Sequence, residues 1–428
     1  MRAAKTISLL WLGSITGAGC AFLTQVVLAR QLGPAAFGAF AAALGMVTLV
    51  APLASFGVGS FWLRAFGQEG WRGVRWLRSS LQYSMLTTAT VLAALYVWAG
   101  FGPHDPTTRG VLVALSAYLL GQVAVALVSA KLQLEERYFD LAMWQFLPHL
   151  LRLLAVLILA FAMMDMMTLR GVALAYAAIS MGIFGLGAVL LWRMYVGKFD
   201  LKGHGTSQAQ VGAKPKTASM LQVAAQSWPF GMDGLFYLIY FQSDIILLKY
   251  IKGDEAAGIY NVAFVIMAAA YMFPSVIYQK FLMPKIHRWA EHDRARFRQV
   301  YLVGNWLMFL FGLLAMLAIW SLGNFGVKVL FGEKYLEATP LLQILALVAP
   351  IRFLSTGMGS ALVTKNHIRQ KVLFMGITAA INIAMNIVMI PNFGKEGAAV
   401  STLISEVFLL GLYFWGTKDI FANSSIGR

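Results

Sequence analysis

Several features that are common in soluble enzymes are scarce in this 428-residue sequence. Cys20 is its only cysteine, which excludes an intrachain disulfide framework and a metal site built on cysteines. The six histidines are scattered, and His287 and His292 fall in a charged loop, where solvation is expected rather than metal binding. There is no catalytic constellation and no phosphate-binding glycine loop. The sequence therefore predicts neither an enzyme nor a resident cofactor.

Charged residues are scarce as well, and hydrophobic residues dominate. Asp, Glu, Lys and Arg make up 12% of the chain and hydrophobic residues 59%. Ordinary soluble domains carry about 25% charged residues. Apolar runs of about 20 residues recur along the chain, and each is long enough to cross a bilayer. No alternating barrel pattern is present, so we expect these spans to be helical.

The sequence predicts an all-α integral membrane protein with about twelve spans in two six-helix bundles. The first run shows no clear cleavage site and is expected to be retained. The predicted spans are 7–29, 36–65, 79–100, 109–130, 142–165, 170–193, 221–250, 256–282, 299–322, 336–362, 372–391 and 396–416. Residues 1–195 are assigned to the first bundle and 221–428 to the second. The segment 196–220 is rich in Gly, Ser and Lys and is predicted to be a flexible cytoplasmic linker.

Basic residues are distributed unequally between the loops on the two sides of the membrane. The loops on the N-terminal side hold 24 of the 34 Lys and Arg residues, and the opposite side holds 8. The remaining two, Arg152 and Arg352, fall within spans. This asymmetry predicts that both termini are cytoplasmic, as in a multi-pass protein of a bacterial inner membrane. Topology and anionic membrane lipids explain the formal net charge of +16 without a nucleic-acid partner.

The stretch 221–250, which opens the second half, carries the acids Asp233 and Asp244. Eleven residues at about 100° each bring both carboxylates to one helix face, about 16 Å apart. Such a face avoids lipid, so it is predicted to line a bundle interior or a water-filled cavity. Glu406 is a further acid within a predicted span.

The two halves share a short repeat. Residues 28–43 align without gaps to residues 248–263, with five of sixteen positions identical, including both glycines. Each copy runs from the end of one predicted span into the next. Because each half has an even number of spans, the halves are expected to be related by an axis along the membrane normal, with a substrate path between them.

Five motifs then carry a family resemblance. They are Ala29–Gly38, Ser243–Leu248, Ala257–Ala263, Leu330–Tyr335 and Pro391–Ala399. In this order they resemble the polysaccharide-export and O-antigen flippases of the multidrug/oligosaccharidyl-lipid/polysaccharide (MOP) exporter superfamily. The resemblance implies a V-shaped, alternating-access transporter with two six-helix bundles. It also implies an undecaprenyl-pyrophosphate-linked oligosaccharide as substrate, moved from the inner to the outer leaflet, and polysaccharide polymerase or export proteins as partners.

An anionic pyrophosphate requires a cationic path. The candidate residues for it are Arg30, Arg64, Arg152 and Arg352. A charge in mid-membrane costs at least about 2.5 kcal/mol on insertion scales, and a guanidinium suits bidentate phosphate contacts. For the two arginines within spans, the alternative is a buried ion pair with Asp233 or Glu406. For the two at span ends, the alternative is interfacial snorkelling.

A coupling cation, Na+ or H+, is also predicted. Asp244, Asn386 and Thr402 reach a similar depth of roughly 8–9 Å from the outer ends of their spans. Asn382 precedes Asn386 by four residues and shares its helix face. The spacing resembles the sodium site of lipid II flippases of this superfamily, in which Ala398 would match a backbone ligand and Asn386 replaces an acid. The alternative is a set of interhelical hydrogen bonds.

Two other functions stay open at this point. A multidrug or cation antiporter of the same superfamily would share the fold. It would be expected to offer acids to cationic drugs, whereas the first half offers Arg152 and no acid deep in a span. A membrane glycosyl-polymerase or ligase usually needs a large outer loop, and the predicted outer loops are short.

Overall fold

The computed structural model describes residues 2–202, 217–275, 277–278, 294–362 and 368–422. Within these ranges the chain is helical and contains no strand, which confirms the predicted all-α class. The central part of the predicted linker, 203–216, lies outside the described residues. So do His287 and His292 of the charged loop.

Twelve α-helices follow one another in the described chain. The first six are α1 (Arg2–Ser55), α2 (Val58–Glu69), α3 (Val74–Phe101), α4 (Pro106–Leu134), α5 (Tyr138–Phe161) and α6 (Leu169–Tyr195). The other six are α7 (Met220–Lys252), α8 (Asp254–Ser275), α9 (Arg294–Leu330), α10 (Ala338–Ala346), α11 (Val348–Ala361) and α12 (Ile368–Ala422). Helices and membrane spans do not correspond one to one, because some helices are bent within a long run.

Eight helical stretches of the described chain are long and apolar enough to cross a membrane, or nine if the bent pair α10 and α11 is one span. Two of them, 11–101 and 368–418, are 91 and 51 residues long. At 1.5 Å per residue they would reach about 137 and 77 Å, far beyond a hydrocarbon core of about 30 Å. Non-helical backbone at Gly33 and Gly394, and the break before α3, divide them further. If the first stretch is counted as three spans and the second as two, the described chain accommodates the predicted twelve.

Contacts divide the chain into two compact units. The first comprises Met1–Thr24 and Ala43–Leu238, and the second comprises Gln25–Ala42 and Ile239–Arg428. Both α1 and α7 therefore contribute residues to each unit. This division by contacts does not test the assignment of two bundles to residues 1–195 and 221–428, which stays a prediction.

In the first unit, α5 packs against α4 and α6. The core of this packing is formed by Ala124, Val128, Leu132, Leu141, Trp144 and Ile183. Pro148 lies inside α5, one turn before Arg152. The apolar contacts on both sides of α5 thus hold a charged residue inside the unit.

In the second unit, α10 and α11 are bent by 43° at Leu347. Pro350 follows in the first turn of α11, where a missing backbone N–H is tolerated. The close packing of α9 on α11 depends on Gly312, because a Cβ there would lie 2.4 Å from the Cα of Pro350. This packing fixes the position of α11, which carries Arg352.

The two repeat copies share a positive φ angle at one aligned glycine. Gly33 and Gly253 are aligned, and their φ angles are 75° and 95°, in the region that favours glycine. In each copy this residue separates the end of one span from the start of the next. The sequence repeat therefore extends to the backbone conformation at this position.

The two copies also contact each other within the second unit. A Cβ on Gly38 would lie 1.8 Å from the carbonyl oxygen of Asp254, and a Cβ on Gly258 would lie 2.0 Å from that of Pro34. Gly38 aligns with Gly258, and Pro34 with Asp254, so the contact is reciprocal. The helices can approach this closely only because both positions lack a side chain.

Replacement of Gly258 by alanine is therefore expected to lower the free energy of unfolding by roughly 1–3 kcal/mol, because the added methyl group meets main-chain atoms that cannot move independently. Thermal unfolding of the purified protein in detergent measures the change. Gly182→Ala in α6 is the control, since a Cβ there has no atom within 4 Å. An equal shift in both variants would contradict the close-packing argument.

Candidate functional site

The carboxylate of Asp244, on α7, is 3% exposed and accepts three hydrogen bonds. Asn386 Nδ2 donates to Oδ1 over 2.6 Å. Thr402 Oγ1 and Tyr260 OH donate to Oδ2 over 2.5 and 2.7 Å. An ionised carboxylate only accepts hydrogen bonds, so three donors satisfy it well without a cationic partner.

Further polar groups extend this cluster. Asn382 Oδ1 accepts from Ser243 Oγ over 2.8 Å and from Asn386 Nδ2 over 3.2 Å. The carbonyl oxygen of Ala398 lies 3.2 Å from Thr402 Oγ1. The structure thus brings together all the residues predicted for the cation site, which are Asp244, Asn382, Asn386, Ala398 and Thr402.

Helix geometry explains the assembly. Asn382 and Asn386 are four residues apart before the bend of α12 at Gly394, and Ala398 and Thr402 are four apart after it. Each pair therefore occupies one helix face. The bend at Gly394, where φ is 60°, lets both pairs approach Asp244 from a single continuous chain segment.

The amides of the cluster are not fully satisfied. Asn386 Oδ1 and Asn382 Nδ2 are buried and have no hydrogen-bond partner among the described residues. A buried polar group without a partner costs about 1–3 kcal/mol. Rotation of the Asn386 amide by half a turn would direct its oxygen towards the carboxylate of Asp244. Two acceptor oxygens would then face each other, an arrangement that is favourable when a cation lies between them. Carboxylate, amide, hydroxyl and carbonyl oxygens are the ligands that hard cations prefer, so the residues present fit such an ion.

A small cavity adjoins the cluster inside the second unit. Asp244 and Thr402 line it, as does Glu406 one helical turn beyond Thr402. The other lining residues are Tyr240, Phe241, Phe264, Met267, Tyr271, Leu345 and Val348. The described lining of this cavity does not include Asp233, which is half-buried and belongs to the first unit.

Arg352 forms a buried ion pair at this cavity. Its Nη1 lies 2.5 Å from Glu406 Oε1, and the two side chains are 12% and 1% exposed. Ser355 Oγ lies 3.3 Å from the other carboxylate oxygen, and the guanidinium lies 4.6 Å from the Phe241 ring centroid. For Arg352 the structure therefore shows the ion pair with Glu406 that the sequence left open as an alternative.

Arg152, in the first unit, has a different environment. The residue is 5% exposed, and its guanidinium carbon lies 4.6 and 5.4 Å from the ring centroids of Tyr118 and Tyr176. Its Nε is buried without a hydrogen-bond partner, and no carboxylate of the described chain lies within 4 Å of it. The ion pair with Asp233 is therefore not found, and the faces of two tyrosine rings lie against the positive charge.

The other two candidate arginines lie at helix surfaces. Arg30 Nε donates to the carbonyl of Leu330 over 2.7 Å, and its Nη2 donates to the carbonyl of Val329. These bonds cap the C-terminus of α9, where carbonyl groups have no helical partner. Arg64, on α2, is exposed. Arg64 and Arg152 belong to the first unit, and Arg30 and Arg352 belong to the second.

Two polar members of the cluster, Ser243 and Tyr260, were not assigned to the site from the sequence. Both occur in the motifs that carry the family resemblance. Tyr260 comes from α8, sixteen residues beyond Asp244, and its aligned residue in the first repeat copy is Phe40. The signal available in the sequence was the difference between these two aligned residues, because Tyr260 carries a hydroxyl group that Phe40 lacks.

Comparison with known proteins gives a consistent set of relatives. A family model described as polysaccharide biosynthesis protein matches residues 3–289. The teichuronic acid biosynthesis protein TuaB of Bacillus subtilis is 29% identical over 124 residues, which cover 29% of this chain and 26% of that protein. A probable low-salt glycan biosynthesis flippase of Haloferax volcanii is 22% identical over 413 residues, covering 95% of this chain and 81% of the relative.

Solved structures resemble the fold over nearly the whole chain. The lipid II flippase MurJ, in an inward closed conformation, has a TM-score of 0.72 at 12% identity, covering 96% of this chain and 87% of its own. A multidrug resistance MATE family transporter of the MOP superfamily, in an inward-facing conformation, has a TM-score of 0.65 at 16% identity, covering 96% of both chains. The predicted MATE-like fold class is thereby confirmed.

Proposed function

Since this chain belongs to the polysaccharide biosynthesis protein family, we propose that it is an alternating-access flippase for lipid-linked oligosaccharide. In this proposal it moves an undecaprenyl-pyrophosphate-linked oligosaccharide from the cytoplasmic to the outer leaflet, for polysaccharide or O-antigen export. It acts as a transporter and not as an enzyme. Its partners are the lipid-linked substrate, membrane lipids, and the proteins that polymerise or export the polysaccharide.

The environment of Arg152 is the observation that carries this proposal. A cation buried among apolar and aromatic groups costs several kcal/mol unless an opposite charge compensates it. Within the described chain no carboxylate does so. An anionic ligand would therefore gain more at Arg152 than at an arginine already paired. The pyrophosphate of the proposed substrate is such a ligand, and a guanidinium can contact it through two parallel hydrogen bonds.

Arg352 is assigned a secondary role in head-group binding, because Glu406 already holds it. Arg352 could contact the substrate only if the pyrophosphate replaced Glu406 as its anionic partner. Arg30 is engaged in capping α9, which leaves fewer of its donors for a ligand. Arg64 is exposed and remains a candidate for the first contact with an incoming head group.

Export of the substrate against a concentration difference needs a source of energy. We propose that a cation bound by the Asp244 cluster couples its own gradient to this export. The ion would be Na+ or H+, held by Asp244, Asn382, Asn386, Thr402 and the carbonyl of Ala398. When bound, it would supply positive charge that balances the Asp244 carboxylate. The orphaned Asn386 oxygen and the mixed oxygen donors support this assignment.

One observation favours a second candidate, a multidrug or cation antiporter. The cavity in the second unit combines acidic residues with aromatic side chains, including Tyr240, Phe241 and Tyr271. Because Arg352 neutralises Glu406, Asp244 alone would attract a cationic drug, and the flippase is the better supported proposal.

The proposed function is tested by flipping in proteoliposomes that contain a fluorescent lipid-linked oligosaccharide. Purified wild-type protein is expected to make the label accessible on the opposite leaflet well above the background of protein-free vesicles. A cationic dye serves as the competing substrate. Dye transport without flipping would favour the antiporter, and failure of both would contradict transport by this chain alone.

We also propose that the protein lies in the bacterial inner membrane with both termini cytoplasmic, as the distribution of basic residues predicts. Reporter fusions after Ala213 and at the C-terminus are expected to give cytoplasmic signals. A fusion in the loop between α5 and α6, at Asp165, serves as the control and is expected on the other side. If the fusions after Ala213 and at the C-terminus report opposite sides of the membrane, the number of spans between these two points is not even.

A further inference from the structure

Tyr260 occupies a special place in the Asp244 cluster. Its side chain is fully buried, and its hydroxyl lies 2.7 Å from Asp244 Oδ2 and 3.3 Å from Thr402 Oγ1. It is one of three donors that satisfy the carboxylate. Tyr260 is not among the residues that the sequence predicts for the cation site.

The three donors differ in what they can do when a cation arrives. The hydroxyl proton of Thr402 can turn to the carbonyl of Ala398, 3.2 Å away. The Asn386 amide can turn its unused oxygen inward. Thr402 can therefore become an oxygen ligand while it keeps a hydrogen bond to Ala398, and Asn386 can offer an oxygen in place of its NH2 group.

Tyr260 does not have this freedom. A phenolic O–H stays close to the plane of its ring, and the only other polar atom within hydrogen-bonding distance in the described chain is Thr402 Oγ1. That oxygen is itself a proposed cation ligand. Wherever its proton points, the Tyr260 hydroxyl occupies a lone pair on a proposed cation ligand, either on Asp244 or on Thr402.

We propose that Tyr260 sets the cation affinity of this site, because its hydroxyl competes with the cation for Asp244 and stabilises the cation-free state. The inference rests on the proposed cation coupling and adds a residue to it. It implies weak, readily reversible cation binding. A transporter that returns without its ion needs such compensation, because an unsatisfied carboxylate in a buried site is costly.

The repeat indicates that the hydroxyl is not needed for packing. The aligned residue, Phe40, is fully buried in the first copy, as Tyr260 is in the second. A phenylalanine at 260 therefore matches a side chain that the same helical motif already accommodates. Removal of the hydroxyl should change the cation site more than the fold.

The experiment measures equilibrium binding of radioactive sodium to the full-length purified protein, with choline replacing sodium to keep ionic strength constant. Tyr260→Phe is expected to bind sodium roughly tenfold more tightly than wild type, since a hydrogen bond to a charged group no longer has to be displaced. Flipping by the same variant is expected to be slower, because the ion is released less readily. Damage to the fold would weaken binding instead of tightening it.

Tyr301→Phe is the matched control. It also removes a tyrosine hydrogen bond in the second unit, the half-buried 2.9 Å contact with Thr417 Oγ1, but Tyr301 does not line the cavity. Its sodium affinity is expected to equal that of wild type. If Tyr260→Phe does not accumulate, Tyr260→Leu provides a second variant that lacks the donor and is expected to shift affinity in the same direction.

The outcomes separate this inference from the proposed function. Sodium binding by wild type with equal or weaker binding by Tyr260→Phe would overturn the competing role and leave the cation site standing. Absence of sodium binding by wild type and by Tyr260→Phe would overturn both the sodium site and the role of Tyr260. Flipping activity, measured in parallel, would then report on the flippase proposal alone.

Discussion

Replacement of Arg152 by alanine is expected to reduce oligosaccharide flipping at least about 30-fold, towards the background of protein-free vesicles, since a desolvated charge contact with phosphate contributes about 2–5 kcal/mol or more. The side chain is buried, and its environment within the described structure offers ring faces and no carboxylate. Its removal therefore leaves no internal anion without a partner. This makes a loss of transport without a loss of folding the expected result.

Arg152→Lys is expected to restore flipping only in part. Lysine keeps the positive charge but lacks the planar fork that contacts two phosphate oxygens together. Arg170→Ala is the matched control, because Arg170 is an exposed arginine of the same unit and should tolerate the change. Protein levels are measured by immunoblot for every variant. Wild-type flipping by Arg152→Ala at a normal protein level would remove the main support for the proposed substrate.

Arg352→Ala is a less informative variant for the same question. It would leave Glu406, which is 1% exposed, without its cationic partner. Removal of one member of a buried ion pair costs roughly 3–5 kcal/mol. A loss of transport would then report instability as readily as a loss of substrate contact. The different partners of the two arginines thus decide which substitution tests binding.

Replacement of Asp244 by asparagine is expected to abolish any acceleration of flipping by a sodium gradient. Wild-type vesicles with inward and zero sodium gradients are compared with Asp244→Asn vesicles under the same two conditions. A decrease of about tenfold or more in the gradient-dependent rate is expected, because the only carboxylate of the cluster is lost and a cation then has neutral ligands alone. Asn keeps the size of the side chain and one accepting oxygen.

Asp165→Asn serves as the control for this experiment, because Asp165 is exposed between α5 and α6. It should retain the response of wild type. If a proton gradient accelerates flipping by wild type and a sodium gradient does not, and if Asp244→Asn removes the response to the proton gradient, the coupling ion is H+. Equal rates for wild type and variant with and without either gradient would mean that the cluster only holds α7, α8 and α12 together.

Much of the fold was predictable because membrane spans follow a local rule. A helix must offer about 20 apolar residues to cross a core of about 30 Å, so the lengths of apolar runs predict the number and approximate ends of the spans. Span 221–250 was predicted in this way, and α7 runs from Met220 to Lys252. The bend between α10 and α11 was not predicted, since it depends on close packing at Gly312 as well as on Pro350.

The predicted cation cluster also came from local arithmetic. Pairs four residues apart share a helix face, and equal distances from span ends imply equal depth. These two rules were enough to group Asp244 with Asn386 and Thr402. They could not include Tyr260, because its approach to Asp244 depends on how α8 is rotated against α7.

The environments of the arginines show where such local rules end. In the sequence, Arg152 and Arg352 look alike, since both follow a proline within an apolar span. In the folded chain, Arg352 meets Glu406 from 54 residues away, whereas Arg152 meets the rings of Tyr118 and Tyr176 from two other helices. A helical period of 3.6 residues specifies which side chains share a face but not which neighbouring helix that face meets. The choice between an ion pair and a cation open to a ligand is therefore made by helix packing.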